Sequence, residues 1–193
     1  VKRLKTYVEG FDEALAGGFP EGSVVLISGT TGTMKSIFAY SILYHNAVEE
    51  GIKSVYVALQ QNERNICNQM EKLNLSYKNV SDMLYLLDYH KIVEGIEKYF
   101  KKTFIDTLFY HLLLLKQELN YNIVVIDCLS ALETISEPKK PRIELFKFFD
   151  SLHKLDVTAF IIAEMSPDIN AYGIYDEEFI ADSIIHLKME DIS

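Results

Sequence analysis

Short unbroken apolar runs recur along the chain, separated by longer stretches whose apolar positions repeat at helical spacing. Residues 23–28, 53–59, 83–87, 122–127 and 157–163 form five such runs, and 183–187 a sixth. They are rich in β-branched residues and do not alternate, which is the pattern of strands buried on both faces. Between them, residues 37–50 carry one apolar face and stop at Gly51, a helix-ending glycine. Residues 62–73 and 104–119 predict two more helices. Ile143, Phe146, Phe149 and Leu152 predict another, opening after Pro141, and a short helix is expected within 92–104. Strand alternating with helix predicts an α/β fold with a mostly parallel sheet covered by helices on both faces. No internal repeat, low-complexity tract or linker divides the chain, so one domain over residues 1–193 is expected.

Composition narrows the function classes. A 193-residue chain that is 49% apolar and 24% charged can bury roughly 70% of its unfolded surface without disulfides or metal. The net charge of −9 comes from 28 acids and 19 bases. Such a balance disfavours general nucleic-acid binding, which depends on neutralising phosphates with Lys and Arg. Cys67 and Cys128 cannot build a disulfide framework or a metal site alone, and are expected as buried free thiols in the reducing cytoplasm. The richest apolar stretch, 104–115, is broken by Asp106 and His111 and is too short to cross a membrane. Behind Val1-Lys2-Arg3-Leu4-Lys5 there is no apolar core of a secretory signal. The first residue is not Met, and a trimmed chain is expected.

The chemistry concentrates in Gly29-Thr30-Thr31-Gly32-Thr33-Met34-Lys35-Ser36. This octamer follows a buried strand and opens a helix, the context of a phosphate-binding P-loop. Loop N–H groups and the positive helix end converge on phosphates, Lys35 adds a point charge, and Ser36 can offer a hydroxyl to Mg²⁺. Gly29 and Gly32 are expected where a side chain would be blocked. The pattern G-x-x-x-x-G-K-[ST] is met except at Met34. That position, at the helix start, is expected to take an ordinary negative φ that a side chain tolerates. Ile123-Val124-Val125-Ile126-Asp127, four apolar residues and an acid ending a strand, is a Walker B pattern, with Asp127 holding Mg²⁺ through its water shell.

Val8-Glu9-Gly10-Phe11-Asp12 and Gly17-Gly18-Phe19-Pro20-Glu21-Gly22 precede the loop, and Ala181-Asp182-Ser183-Ile184-Ile185-His186-Leu187 closes the chain's last strand. Together with the P-loop and Asp127 they resemble the KaiC-like ATPases of the RecA/RadA superfamily, over nearly the whole chain. The resemblance implies a RecA-type core in which the 157–163 strand lies between the P-loop strand and the Walker B strand. It also implies ATP with Mg²⁺ and a homo-oligomer, often a hexameric ring. The family's trans-acting Lys and Arg lie beyond residue 187, so the chain is expected to be truncated at its C-terminus.

The hydrolytic residues depart from that family, which carries a Glu-Glu pair at the end of the second strand. Here the place reads Gln60-Gln61. Glutamine can orient water but cannot accept its proton, and general-base catalysis is worth about 10²–10⁴-fold. Glu63 is the nearby carboxylate that could substitute. Of the two loops that contact DNA in relatives, 134–142 contains Lys139, Lys140 and Arg142, whereas 165–178 has no Lys or Arg and several acids. The expectation is an ATP-binding protein with weak or no hydrolysis, its nucleotide state serving signalling or assembly, with neither nucleic acid nor membrane as partner. The alternative is a slow ATPase motor or clock-like enzyme using Glu63 or a base from another subunit.

Overall fold

The computed structural model describes residues 2–93, 103–165 and 180–190. Six strands form a fully parallel sheet: β3 (Val24–Gly29), β4 (Ser54–Ala58), β5 (Leu84–Asp88), β6 (Ile123–Asp127), β7 (Thr158–Glu164) and β8 (Ser183–His186), in the spatial order β5-β4-β6-β7-β3-β8. Every apolar run of the sequence is one of these strands. β7 lies between β6 and β3, pairing Ile126 with Ile161 and Ile27 with Ile162, the order that the family resemblance implies.

Burial on both faces holds for the four interior strands and relaxes at the edges. All of Val24–Gly29 and Ser54–Ala58 is buried. On edge strand β5, Tyr85 is 37% exposed, and on β8 Ile185 is the buried residue. An edge strand has a neighbour on one side only, so part of its surface reaches solvent.

Helices cover the sheet. α2 (Lys35–Glu50) ends at Gly51, whose φ of 64° gives a left-handed cap. α3 (Glu63–Glu71) opens at Asn62, whose side chain accepts from the Asn65 N–H. α4 (Phe104–Leu119) has a capping box, Thr103 and Asp106 bonding each other's backbone N–H groups. α6 (Pro141–Lys154) carries its proline at the first turn, so Lys139 and Lys140 lead directly into a helix. The short helix α5 (Leu129–Ser136) was not expected from the sequence; it follows β6 directly and has no side-chain cap. Most of the helix expected within 92–104 lies outside the described residues, as does most of 165–178.

The N-terminal segment forms a small antiparallel pair, β1 (Arg3–Leu4) with β2 (Phe19–Pro20), around the one-turn helix α1 (Phe11–Ala14). Asp12 organises it: its carboxylate accepts from the Thr6 and Tyr7 N–H groups at 2.8 and 2.9 Å. Asn46 of α2 donates to the Lys5 carbonyl at 2.8 Å, tying the segment to the P-loop helix. At the other end of the motif, the Asp182 carboxylate accepts from the Val24 N–H at 2.7 Å. The acid before β8 therefore fixes the start of the P-loop strand. Cys128 is buried and Cys67 half-buried, both as free thiols. Among the described residues, no helix is long and apolar enough to cross a membrane.

Candidate functional site

In a parallel α/β sheet, ligands bind at the carboxyl ends of the strands, where loops lead into helices. A cavity of about 310 Å³ lies there, bounded by the ends of β4, β6 and β7 and the start of α2. The P-loop contributes Thr31, Gly32, Met34, Lys35 and Ser36 to its wall. Asp127 enters from β6, and Gln60 and Gln61 from the turn after β4. Thus eight of the residues singled out in the sequence face one space.

Gly29, Thr30 and Thr33 stand behind that wall and shape the loop. The Lys35 ammonium donates to the carbonyls of Gly29 and Thr30, each at 2.8 Å. The Thr33 hydroxyl donates to the Thr30 carbonyl at 2.9 Å. An ammonium has three donors, so one remains for a ligand. Lys35 is only 7% exposed; burial lowers its pKa, opposed by the charges of Glu164, Cys128 and Asp127.

The two loop glycines serve different ends. Gly32 has φ of 89°, a conformation that side chains disfavour. Gly29 has no such φ; it is required by space, because a Cβ there would lie 2.5 Å from the Leu187 carbonyl oxygen and 2.6 Å from Thr33 Oγ1.

Met34 corrects the sequence reading. Its φ is 61° and ψ 25°, left-handed rather than negative. Its carbonyl still accepts the first helical bond, from the Phe38 N–H at 2.9 Å. The loop therefore keeps the backbone course that a glycine would take there, with a side chain that is 63% exposed at the cavity. A left-handed L-residue costs about 1–2 kcal/mol.

Glu63 does not line the cavity. Its carboxylate is 2.6 Å from the Lys91 ammonium, which also donates to the Leu86 carbonyl and lies over the Tyr85 ring. Two residues that the sequence reading did not single out complete the site. Glu164 ends β7, opposite Gly29 in register, and lines the cavity. Tyr56 sits in the middle of β4, fully buried, and its hydroxyl donates to Asp127 Oδ2 at 2.5 Å. Burial first, then the charge and hydrogen bond of Asp127, pushes its phenol well above the ordinary value, while a hydrogen bond from the Ser36 hydroxyl acts the other way. In the sequence Tyr56 reads as core, since its neighbours are all apolar; Glu164 is marked only by ending a buried run.

A RecA-type α/β core, with a P-loop opening α2 and an aspartate ending β6, defines a P-loop nucleotide-binding fold. The family model described as "ATPase: KaiC" matches residues 4–193, and the chain belongs to that family. A UPF0273 protein of Saccharolobus solfataricus is 28% identical over 200 residues, covering 100% of this chain and 71% of that protein. The circadian clock oscillator protein KaiC of Picosynechococcus sp. is 26% identical over 197 residues, covering 97% of this chain. The chain spans only 37% of that clock protein's length. Among solved structures, a KaiC-like protein of the hyperthermophilic archaeon Pyrococcus horikoshii superposes with a TM-score of 0.82 at 27% identity, covering 100% of this chain and 84% of that one.

Proposed function

We propose that the chain binds ATP with Mg²⁺ in this cavity and turns it over slowly or not at all, its nucleotide state serving signalling or assembly. The observation that carries the reading is the meeting of Lys35, Ser36 and Asp127 with two glutamines, Gln60 and Gln61, in one cavity. Residues Gly29–Ser36 cradle the phosphates through backbone N–H groups at the start of α2. The third Lys35 donor reaches the phosphates. The donor set fits Mg²⁺: a hydroxyl and a carboxylate are hard oxygen ligands, and Mg²⁺ is usually held by one or two such groups plus water and substrate phosphates. Ser36 and Asp127 would hold it, and when bound it neutralises charge on the phosphate oxygens.

Gln60 and Gln61 stand where a proton acceptor is needed. Their amides can orient a water but cannot take its proton, which accounts for slow turnover. Calorimetric titration with Mg-ATP tests the reading. Saturable binding that Lys35→Ala abolishes is expected, and no binding to well-folded protein would overturn it. We extend the same proposal to one nucleotide-binding unit over residues 1–193 acting in the cytoplasm, and to ring assembly of like copies. Light scattering with and without Mg-ATP checks the assembly; a monomer under both conditions removes it.

A second reading, a slow ATPase, is favoured by one observation: Glu164 places a carboxylate on the cavity wall beside the P-loop. A carboxylate can accept the proton that the glutamines cannot.

A further inference from the structure

Tyr56 is an ordinary core residue by burial but not by chemistry. It sits in the second strand from the β5 edge, with Ala58 and Asp127 in register two residues further on. Its ring meets the edge of Tyr40 from α2, with centroids 5.9 Å apart at 63°. Both rings are essentially inaccessible to solvent, so the phenol is packed in the core. Its one O–H goes to Asp127 Oδ2 at 2.5 Å, a distance typical of a charge-assisted bond from a hydroxyl to a carboxylate. Asp127 Oδ1 accepts no hydrogen bond among the described residues, while the carboxylate lines the cavity. Both sides of the relationship are therefore fixed: one oxygen is engaged by the sheet interior, and the other is left to the cavity that Ser36 shares.

We propose that Tyr56 is a positioning residue for the Mg²⁺ site, clamping the Asp127 carboxylate so that one oxygen is presented to the hydrated cation beside the Ser36 hydroxyl. This rests on the nucleotide-binding reading above and deepens it. A carboxylate at a strand end can rotate about its side-chain bonds. A hydrogen bond from behind fixes that rotation before the cation arrives, and outer partners of this kind commonly contribute 10–100-fold to metal affinity. The phenol is suited to the task because it donates a single proton from a rigid ring whose rotation Tyr40 restricts.

Tyr56→Phe tests the clamp, since it removes the hydroxyl and keeps the ring and its contact with Tyr40. The readout is nucleotide affinity across a Mg²⁺ titration, measured by calorimetry with ATP, and again in EDTA. In the variant, the Mg²⁺ concentration giving half-maximal enhancement of ATP binding should rise about tenfold, while ATP affinity in EDTA stays unchanged. In an Asp127→Asn background the same Tyr56→Phe change should add nothing. An unchanged Mg²⁺ midpoint, a lower midpoint, or an equal loss with and without Mg²⁺ would each overturn the role of Tyr56. Thermal melting of the variant separates a folding defect, which weakens binding in both conditions, from loss of the clamp. Failure of the unaltered protein to bind ATP at all would overturn the parent reading instead, and this inference with it.

Discussion

The Glu63 carboxylate lies 2.6 Å from the Lys91 ammonium and is thereby turned to the β5 side of α3, away from the cavity wall. A general base must reach the attacking water directly or through one water. Glu63→Ala should therefore leave phosphate release at the rate of the unaltered protein, measured with a coupled phosphate assay. Because each side chain is 39% exposed, the pair should contribute no more than about 1 kcal/mol. Burial alone would lower the Lys91 pKa, but the hydrogen bond and charge of Glu63 leave it raised above 10.5. A raised folded pKa means that the folded state holds this proton more tightly. The contribution is thus complete below pH 10.5 and fades as pH climbs through the folded value. Denaturant melts in the alkaline range should show a smaller loss with pH in Glu63→Gln.

The glutamines make the opposite prediction. Gln60 and Gln61 line the cavity, so installing Gln60→Glu with Gln61→Glu puts proton acceptors where they can serve. Phosphate release should rise severalfold or more. An unchanged rate would show that the missing base is not the limiting defect.

Glu164 separates the two functional readings. If its carboxylate supplies the residual base, Glu164→Gln should reduce slow phosphate release by about 10²-fold without weakening Mg-ATP binding. Weaker binding in that variant would instead indicate a part in holding the nucleotide or its cation.

Met34 carries backbone strain at the mouth of the site, with φ of 61°. Glycine adopts that conformation freely, so Met34→Gly should stabilise the protein by about 1 kcal/mol. For a chain of this size that corresponds to a thermal midpoint about 2–4 °C higher. A lower midpoint would mean that Met34 gains more from its surroundings than its left-handed backbone costs.

Much of this architecture was legible because strand burial writes itself as unbroken apolar runs. The four interior strands obey that rule up to the acids that end β6 and β7, and even the edge strand at Ser183–His186 is marked by its apolar pair. The site residues were legible to the extent that a local motif carries them, as with Lys35, Ser36 and Asp127. What escaped depends on partners distant in sequence. Tyr56 and Asp127 are 71 residues apart, and nothing in a run of apolar neighbours tells a core tyrosine from one bonded to a site carboxylate. Glu63 and Lys91 are 28 apart, so proximity to the glutamines in sequence suggested a role that the ion pair redirects. The short helix Leu129–Ser136 begins two residues after β6 ends and has no side-chain cap, so nothing local separates it from the strand before it. Met34 departs from its expected negative φ for a different reason: the backbone course of the loop overrides the conformational preference of the residue that occupies it.

Gly29 gives the sharpest test of why the loop has the sequence it has. The residue ends β3, where β8 pairs alongside through Ser28 and His186, and the Leu187 N–H donates to the Ser28 carbonyl at 2.8 Å. That bond draws the Leu187 carbonyl against the face of Gly29. A Cβ would lie 2.5 Å from its oxygen and 2.6 Å from Thr33 Oγ1, well inside contact distance. Thr33 could rotate away, but only by giving up its bond to the Thr30 carbonyl; the Leu187 carbonyl is backbone and cannot move without disturbing β8. Gly29→Ala should therefore cost about 1–3 kcal/mol through overpacking. It should also weaken ATP binding, because the Gly29 and Thr30 carbonyls that anchor Lys35 shift together. Gly32→Ala differs in kind: no atom lies within 4 Å of its Cβ position, so its cost is backbone strain at φ of 89°. Hydrogen exchange distinguishes the two, since the Gly29 substitution should loosen the Leu187 amide just after β8 whereas the Gly32 substitution should leave it as protected as in the unaltered protein.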